Sequence, residues 1–463
     1  MKKKVITGVL GLSMLLISGC TSTKSTQINI LATTDLHGLI TPQLDPYVKE
    51  ERKKDKNAVL VDAGDFFDRS RLQGAPMGKY FYERDKDKKK YVETPIAKEM
   101  KEVGYDAVVL GNHELISNDK FQLDNMVSDF EKQNIDVLSA NTYKQNGSSY
   151  IKPYVIKEVP TSEGNVKLGI LGLTIKEVGE KNTGMNNGVL IKAKSLDLKD
   201  QRAYKGKLYM NDLVEDAKKW VKVMKEKDKP DVILAVVHSG EKPKKPKNPG
   251  NRIQELAKEV EGIDAIVAGH NHEEIKQHDY KNKSGETVIV TEPGANGECI
   301  SKINIKLEKD NNKWDVVNKS SQITKFPRSI EYNNYPHFSS EILELDEKIK
   351  EIRLSELTCF DWDKAYVFEP YTPIEKIYKT VGYKWRNITE ADSEDMLQMV
   401  FMKDKKVICY AYTHRNQVVS TSMKFDKSEY KDNIVTIYPK NNDKFKIVER
   451  NEENFTARLE HIK

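Results

Sequence analysis

Residues 28–38 read Ile-Asn-Ile-Leu-Ala-Thr-Thr-Asp-Leu-His-Gly, a short apolar run that passes directly into an aspartate and a histidine. The run is compact and rich in branched side chains, which predicts a strand covered on both faces. The Asp-x-His spacing suits the turn from a strand into a loop and puts Asp35 and His37 on the same side.

The same order, an apolar run followed by polar residues, occurs at four more places along the chain. Five of the nine histidines lie in these groups. Ligand crevices in open α/β sheets form at the carboxyl ends of strands. A single histidine is more often structural, but their joint occurrence beside aspartates and an asparagine predicts one common site. The further groups are Gly64-Asp65, Gly111-Asn112-His113-Glu114, His238 and Gly269-His270-Asn271-His272.

The intervening sequence predicts a layered α/β domain over residues 27–325. Its last segment contains a polar hairpin near 308–313 and an edge strand. Glycines 64, 111 and 269 permit tight backbone exits from the strands. Strands are predicted at 28–32, 58–61, 107–110, 167–173, 232–237, 265–268, 288–290 and 300–307, and helices at 94–103, 120–133, 211–226 and 251–260.

The C-terminal third predicts a linker helix and a smaller α+β domain. An amphipathic stripe over 339–354, with Ile342, Leu345, Ile349 and Ile352, indicates a linker helix within 336–357. The domain then occupies 358–463. Consecutive antiparallel strands are predicted there at 399–402, 407–412, 418–423 and 434–438.

Three lysines follow Met1, and after them comes an apolar stretch at 5–17 that is too short to span a membrane as a mature helix. Small residues then lead into Cys20. This order resembles a bacterial lipoprotein signal, which implies a signal peptide over 1–19, a lipid on Cys20 and anchoring at the extracytoplasmic face of the cell membrane. An ordinary secretory signal is the alternative. Residues 20–26 are polar and predict a flexible tether.

Composition sets outer limits on function. The 463 residues exceed one compact core, so two domains are expected. The 76 basic and 71 acidic residues leave a net charge of +5, which gives no reason to expect specific nucleic-acid binding. A mean hydropathy of −0.66 argues against a multi-span membrane protein. Beyond Cys20, the odd number of cysteines (Cys299, Cys359 and Cys409) predicts no disulfide framework.

Carboxylates and imidazoles at one point indicate a metal centre. Two divalent cations about 3.5–4 Å apart need a carboxylate between them and several nitrogen and oxygen ligands around them. These ligand types suit Mn, Zn or Fe, and the absence of thiolates disfavours softer metals. The pattern therefore predicts two divalent metal ions and leaves their identity open.

Five segments together resemble the calcineurin-like metallophosphoesterases, and within them the branch of 5′-nucleotidases and 2′,3′-cyclic-nucleotide 2′-phosphodiesterases. The resemblance covers residues 27–308 and implies a four-layer αββα sandwich. The C-terminal region does not match the second domain that is usual in this branch. The five segments are ATTDLHG (32–38), DAGD (62–65), LGNHE (110–114), VVHSGE (236–241) and AGHNHE (268–273).

The resemblance also implies roles for individual residues. One metal would be held by Asp35, His37 and His272, a second by Asn112, His238 and His270, and Asp65 would bridge them. A water activated by the metals would attack phosphorus in line, opposite the leaving oxygen.

Three neighbouring residues are not implied to bind metal. His113 is implied to act on the leaving group. We interpret Glu114 as a structural residue or one that orients a ligand. Asp62 is open between these two roles.

The substrate is less closely defined by the sequence. The motifs favour 2′,3′-cyclic nucleotides or nucleoside monophosphates, and no substrate-binding residue is predicted. Alternatives are a 5′-nucleotidase, a phosphoesterase for a non-nucleotide substrate and, from another class, a non-catalytic surface-binding lipoprotein. The complete ligand set argues against the last. Two interpretations exist of the aromatic residues between 360 and 371: a base clamp or, more commonly, a packing core.

Overall fold

The structure is a computed structural model. It describes residues 24–67, 75–181, 194–242, 250–326, 349–414 and 422–462, apart from gaps of one to four residues, together with 185–186, 189–190, 334, 338 and 342. The predicted signal peptide and Cys20 lie outside these residues. No helix within the described part combines the length and apolarity needed to cross a membrane.

Strands outnumber helices in the N-terminal region. The strands are β1 (Lys24–Thr33), β2 (Val59–Asp62), β3 (Ala107–Val109), β4 (Asp136–Leu138), β5 (Thr142–Lys144), β6 (Tyr154–Thr161), β7 (Gly164–Thr174), β8 (Glu177–Lys181), β9 (Met185–Asn186), β10 (Val189–Leu190), β11 (Lys194–Asp197), β12 (Leu208–Met210), β13 (Val232–His238), β14 (Ala265–Ala268), β15 (Glu274–Lys281), β16 (Thr287–Pro293), β17 (Cys299–Asp310) and β18 (Lys313–Lys325). The helices are α1 (Leu44–Lys54), α2 (Ala75–Lys86), α3 (Pro95–Val103), α4 (Asn112–Ile116), α5 (Lys120–Lys132), α6 (Leu213–Lys227) and α7 (Ile253–Glu259).

Two six-stranded sheets form the centre of this region. The first has the order β18-β17-β1-β2-β3-β4, with β1 to β4 parallel and β17 and β18 antiparallel at one side. The second has the order β15-β16-β14-β13-β7-β6, with four parallel strands between two antiparallel edge strands. The helices lie in the connections between parallel strands, as such connections require.

The alternation of side chains along the central strands produces the layers. In β1, Ile28 and Ile30 pack between the two sheets, whereas Leu31 packs against the helices that cover the first sheet. In β13, Leu234 faces the core between the sheets and Ile233 faces α6 and α7. Both faces of these strands are buried, which is why their sequences are continuous apolar runs. The resulting four-layer αββα sandwich confirms the predicted fold.

Local signals explain where the covering helices begin and end. The side chain of Asp212 accepts hydrogen bonds from the N–H groups of Val214 and Glu215, which satisfies the first amides of α6. Helix α3 starts with Pro95 and stops at Gly104, whose φ of 99° is the left-handed conformation that ends many helices.

β1 begins earlier than the sequence predicts. Lys24, Ser25 and Thr26, which we expected in the tether, pair with Lys309, Glu308 and Leu307 of β17. Because β17 extends to Asp310, its backbone groups are available to these polar residues. Composition alone does not show that such a partner exists.

Residues 349–462 form two four-stranded sheets, with orders β19-β25-β26-β23 and β22-β21-β20-β24. Among the described residues, the buried clusters of this region contain no residue before Phe338, and those of the sandwich contain none after Phe326. The chain thus has separate hydrophobic cores. The strands are β19 (Glu351–Arg353), β20 (Lys364–Phe368), β21 (Met396–Lys403), β22 (Lys406–His414), β23 (Ser422–Lys424), β24 (Ile434–Ile437), β25 (Lys444–Asn451) and β26 (Thr456–His461), with helices at Leu354–Leu357 and Ile374–Val381.

Two predictions for this region are wrong. The linker helix does not continue to 354, because Glu351, Ile352 and Arg353 form β19 and pair with β25. Most of the remaining linker lies outside the described residues. β21 and β22 pair antiparallel as predicted, but β23 joins the other sheet and pairs in parallel with β26. In both cases the partner strand is distant in sequence, so the local pattern does not reveal it.

Candidate metal centre

The structure brings all eight predicted site residues together at the carboxyl ends of β1, β2, β3, β13 and β14. Three sets of side chains place their ligand atoms within 4.8 Å of one another. Asn112 joins the third set through its amide oxygen. The sets are Asp35, His37 and His272; His37, Asp65 and His113; and Asp65, His238 and His270.

Five of the seven proposed ligands have a left-handed backbone conformation, which is uncommon for residues other than glycine. Each such residue costs of the order of 1–3 kcal/mol and persists only where the surrounding structure holds it. Hydrogen bonds between adjacent loops provide that support here: the N–H groups of Asp35 and His37 donate to the carbonyl oxygens of Gly64 and Asp65, both at 2.8 Å. The φ values are 51° for Asp35, 48° for His37, 55° for Asp65, 77° for His270 and 60° for His272.

Two glycines allow the loops after β2 and β3 to approach each other. A Cβ atom on Gly111 would lie 2.2 Å from Oδ1 of Asp65, and one on Gly64 would lie 2.8 Å from Nδ1 of His238. Gly64 also has a φ of 96°. Any side chain at either position would displace a proposed ligand, which explains the predicted need for glycine in physical terms.

The first group is built around the buried carboxylate of Asp35. Its Oδ2 accepts hydrogen bonds from the Thr34 hydroxyl at 2.7 Å and from the His270 N–H at 2.9 Å. Its Oδ1 is buried, accepts no hydrogen bond within the described part of the chain and lies 3.2 Å from Nε2 of His272. Nε2 of His37 lies 3.1 Å from the same His272 nitrogen. This convergence of acceptor atoms fits a cation.

The second group is built around Asn112. Its Oδ1 lies 3.0 Å from Nε2 of His238 and 2.9 Å from Nδ1 of His270. Nδ1 of His238 is 2.8 Å from the carbonyl oxygen of Ala63, to which it donates. That bond directs Nε2 of His238 into the site, 3.2 Å from Oδ2 of Asp65. A metal-binding histidine is typically oriented by such a bond.

The charges within the site shift the pKa values of its members in opposite directions. Burial lowers the pKa of His238, but the carboxylates of Asp65, Asp35 and Glu114 outweigh it and raise this pKa to about 10. Burial raises the pKa of Asp65, but the charge of His238 and its hydrogen bond hold it well below the ordinary value. A divalent cation would take the place of the proton on His238, since a histidine ligand must be deprotonated.

His113 lies beside the proposed ligands, in the set that also contains His37 and Asp65. Its side chain is 24% exposed, and its Nε2 lies 3.9 Å from Oδ2 of Asp65. Its backbone N–H donates to Oδ1 of Asp65 at 2.7 Å, and its ring makes an edge contact with His37 at 4.9 Å between centroids. Like the proposed ligand His272, whose side chain is 38% exposed, it can be reached from solvent.

The structure assigns clear contacts to the two residues whose roles the sequence left open. The buried Glu114 carboxylate accepts hydrogen bonds from the N–H groups of Asp65, Phe67 and Gly111 at 3.0, 2.8 and 2.6 Å. Burial and the charge of Asp65 raise its pKa to about 8. Its position three residues after Gly111, in the first turn of α4, matches the glutamate half of a capping box, in which the carboxylate accepts the N–H of the residue before the helix; Gly111 has no side chain to supply the other half.

Asp62 supports the neighbouring loop. It accepts hydrogen bonds from the Thr33 hydroxyl at 2.6 Å and from the Gly64 N–H at 2.9 Å. Burial raises its pKa to about 7. Thr34, which holds Asp35, was missed at the sequence level, and its place before Asp35 is the only signal in the sequence.

Comparisons with known proteins agree with this geometry. The sequence profile of the calcineurin-like phosphoesterases matches residues 28–274. The chain is 27% identical over 341 residues to the trifunctional nucleotide phosphoesterase protein YfkN of Bacillus subtilis, covering 66% of this chain and 21% of that protein. It is 25% identical over 343 residues to a 2′,3′-cyclic-nucleotide 2′-phosphodiesterase/3′-nucleotidase of Salmonella typhimurium, covering 66% of this chain and 47% of that protein.

A solved structure shows the same fold. The crystal structure of calcineurin-like phosphoesterase YfkN from Bacillus subtilis superimposes with a TM-score of 0.51 at 26% identity, covering 65% of this chain and 91% of that one. The chain spans 21% of the length of the Bacillus subtilis relative and 47% of the length of the Salmonella typhimurium relative. The profile match, the sandwich and the ligand cluster together show that the chain belongs to the calcineurin-like phosphoesterase family, whose members are metal-dependent phosphoester hydrolases.

Proposed function

We propose that the protein hydrolyses nucleotide phosphoesters with two divalent metal ions, and that 2′,3′-cyclic nucleotides and nucleoside monophosphates form its substrate class. The position of Asp65 carries this proposal. Its carboxylate lies within 4.8 Å of His37, which belongs to the first ligand group, and of His238 and His270, which belong to the second. A carboxylate shared between two groups is what a dinuclear centre requires.

The residues that would hold the metals follow from the two groups. Asp35, His37 and His272 would bind the first ion, and Asn112, His238 and His270 the second. Imidazole, carboxylate and amide oxygen suit Mn²⁺, Zn²⁺ or Fe. Such ions supply an activated water and withdraw charge from the phosphoryl oxygens.

The side chain placed to transfer a proton is His113. It is partly exposed, lies beside Asp65 and is held at the start of α4 by its backbone bond to that carboxylate. As the imidazolium it would donate a proton to the leaving oxygen. The proposed metal ligands, held in place by their loops, would keep the bound phosphoryl group close enough to His113 for this proton transfer.

The substrate class is supported by the names of the relatives, which are nucleotide phosphoesterases and nucleotidases. The C-terminal region gives less support for a nucleotide. Trp362, Tyr366 and Phe368 are buried in its core, and of the aromatic residues within 360–371 Tyr371 alone is strongly exposed, at 57%. A packing core is therefore the better interpretation of this segment. A phosphoesterase with a non-nucleotide substrate is the second candidate.

We also propose that the protein acts at the extracytoplasmic face of a bacterial membrane, anchored through Cys20. The support is the N-terminal sequence: a basic start, an apolar stretch at 5–17 and small residues before the cysteine.

One experiment tests the enzymatic proposal. Full-length protein purified in detergent is assayed with Mn²⁺ on bis(p-nitrophenyl) phosphate and on 2′,3′-cyclic AMP, 3′-AMP and 5′-AMP, while its metal content is measured. We expect two metals per chain and the highest kcat/KM on a nucleotide. Two bound metals without turnover of any phosphoester would contradict the proposal. Turnover of the synthetic diester alone would favour the non-nucleotide alternative.

A further inference from the structure

Asn271 stands between two proposed ligands, His270 and His272, but its side chain bonds to a different loop. Its Oδ1 accepts a hydrogen bond from Nδ2 of Asn251 at 2.7 Å. Its Nδ2 donates to the carbonyl oxygen of Glu241 at 2.8 Å. Both bonding groups of this amide are thus used outside the metal centre.

The loop that receives these bonds is itself closed by Ser239, the residue after His238. The Ser239 hydroxyl donates to the carbonyl oxygen of Gly250 at 2.8 Å and accepts the N–H of Arg252 at 3.1 Å. Its carbonyl oxygen accepts the N–H of Gly269 at 3.3 Å. The segments at the ends of β13 and β14, which contain the proposed ligands His238, His270 and His272, are therefore joined behind the metal centre.

The contact between the segments after β13 and β14 is tightly packed at Gly240 and Asn271. A Cβ atom on Gly240 would lie 2.2 Å from Cγ and Nδ2 of Asn271. Gly240 is not among the glycines with a positive φ, so its backbone would accept alanine. Contact with Asn271, and not the backbone conformation, is what excludes a side chain at this position.

We propose that Asn271 is a positioning residue that fixes His270 and His272 for the two metals; this inference rests on the ligand assignment proposed above. Both histidines have left-handed backbones, with φ values of 77° and 60°. Such conformations relax unless neighbouring contacts hold them. The two hydrogen bonds of Asn271 hold the residue between them. Since one histidine belongs to each metal group, loss of Asn271 weakens both sites.

The experiment measures metal affinity, which a purely structural role would not change in a folded chain. Full-length wild type, Asn271→Ala and the isosteric Asn251→Asp, which replaces the donor facing Asn271 with a carboxylate oxygen, are loaded with Mn²⁺ and titrated with a chelator. Circular dichroism establishes that each is folded. The control is Asn282→Ala, which removes a buried, hydrogen-bonded asparagine from the turn between β15 and β16. We expect about 10- to 100-fold weaker metal binding in Asn271→Ala and Asn251→Asp, as is usual for residues that orient ligands. The control, Asn282→Ala, should bind metal with wild-type affinity.

Gly240 supplies an independent arm. We expect Gly240→Ala to weaken metal binding by pushing on Asn271, and the double variant Gly240→Ala/Asn271→Ala to bind no more weakly than Asn271→Ala alone, since the clashing atoms are gone. Wild-type affinity in Asn271→Ala and Asn251→Asp, or additive losses in the double variant, overturns this inference alone. A wild-type chain that binds no metal overturns the proposed function as well.

Discussion

The carboxylate of Glu114 accepts a hydrogen bond from the backbone N–H of Asp65 at 3.0 Å, although 49 residues separate them in sequence. The same carboxylate binds the N–H groups of Gly111 and Phe67. The loops after β2 and β3 are therefore held by one buried side chain that is not among the proposed metal ligands. Removal of this carboxylate should reveal how far the site depends on it.

We expect Glu114→Ala to destabilise the metal-free protein strongly, because three buried N–H groups lose their acceptor at about 1–3 kcal/mol each. Glu114→Gln retains one carbonyl oxygen and should lie between alanine and wild type. Urea unfolding of metal-free protein measures the effect. The control is Glu102→Ala, at an exposed ion pair with Lys384, which should change stability by less than about 1 kcal/mol. Equal losses of stability in Glu114→Ala and Glu102→Ala would contradict the role of Glu114.

We expect Gly111→Ala to lower metal occupancy and activity together, because the added methyl group would lie 2.2 Å from Oδ1 of Asp65. Gly285→Ala is the matched control: Gly285 has a φ of 80° and no atom within 4 Å of the added Cβ. Backbone strain there should cost about 1–2 kcal/mol of stability without loss of metal. Metal content and unfolding midpoints of both variants decide between these expectations.

The roles proposed for Asp65 and His113 predict different effects of alanine substitution on metal content and on kcat. Asp65→Ala should reduce the content of both metals, because its carboxylate is close to both ligand groups. His113→Ala should retain the metals and lower kcat about 10²–10⁴-fold, the usual contribution of a proton donor. Metal analysis beside steady-state kinetics distinguishes the two roles. Loss of metal from His113→Ala would show that this histidine is a ligand.

The stability of the C-terminal region should depend on pH through Asp443. The side chain of Asp443 is fully buried and accepts a hydrogen bond from Arg353 at 2.7 Å. Burial raises its pKa, but hydrogen bonds from Ser355, Lys440 and Arg353 hold it below the ordinary value. A carboxyl group with a depressed pKa stabilises the fold above its unfolded pKa of about 3.9 and stops doing so as the pH falls through the folded pKa. Asp443→Asn should therefore lower the Tm at pH 7 and flatten its dependence on pH below about 4. Asp432 is exposed, so Asp432→Asn should leave the Tm at pH 7 and its dependence on pH nearly unchanged. Thermal scans across pH measure both quantities.

The proposed anchor predicts that Cys20→Ser moves the protein from the membrane fraction to the soluble extracytoplasmic fraction. The reason is that two acyl chains, and not a membrane-spanning helix, would hold it. Cell fractionation with immunoblotting measures the distribution. Ser18→Ala, which leaves the cysteine intact, serves as the control. Retention of Cys20→Ser in the membrane would contradict the proposed lipid attachment.

The sandwich and the placement of its site residues were predictable because each signal is local. Val232 to Val237 form a continuous apolar run in a strand buried on both faces, and the residue after it, His238, is where the strand ends. Parallel strands place their carboxyl ends at one edge, so residues far apart in sequence come together once the fold is known. Whether these residues bind metal as assigned stays a prediction.

Features that depend on distant partners were not predictable. Neither Lys24 nor Glu351 carries a strand signal, yet each pairs with a strand far along the chain. The clamp made by Glu114 and the amide bonds of Asn271 likewise depend on which loops come into contact. Left-handed conformations at Asp35 and His272 also depend on contacts between loops, although Asp and His adopt this conformation more readily than most residues other than glycine.

The length of β1 places the N-terminal entry of the chain into the sheet far from the ligand cluster. The strand runs from Lys24 to Thr33, two residues before Asp35, and nine steps of extended chain cover about 30 Å. Whatever precedes Lys24 therefore joins the sheet at the end opposite to the ligand cluster. With a lipid on Cys20, about 30 Å of sheet would separate the point of attachment from the ligand cluster. The anchor would thus leave the cluster accessible to substrates from the surrounding fluid.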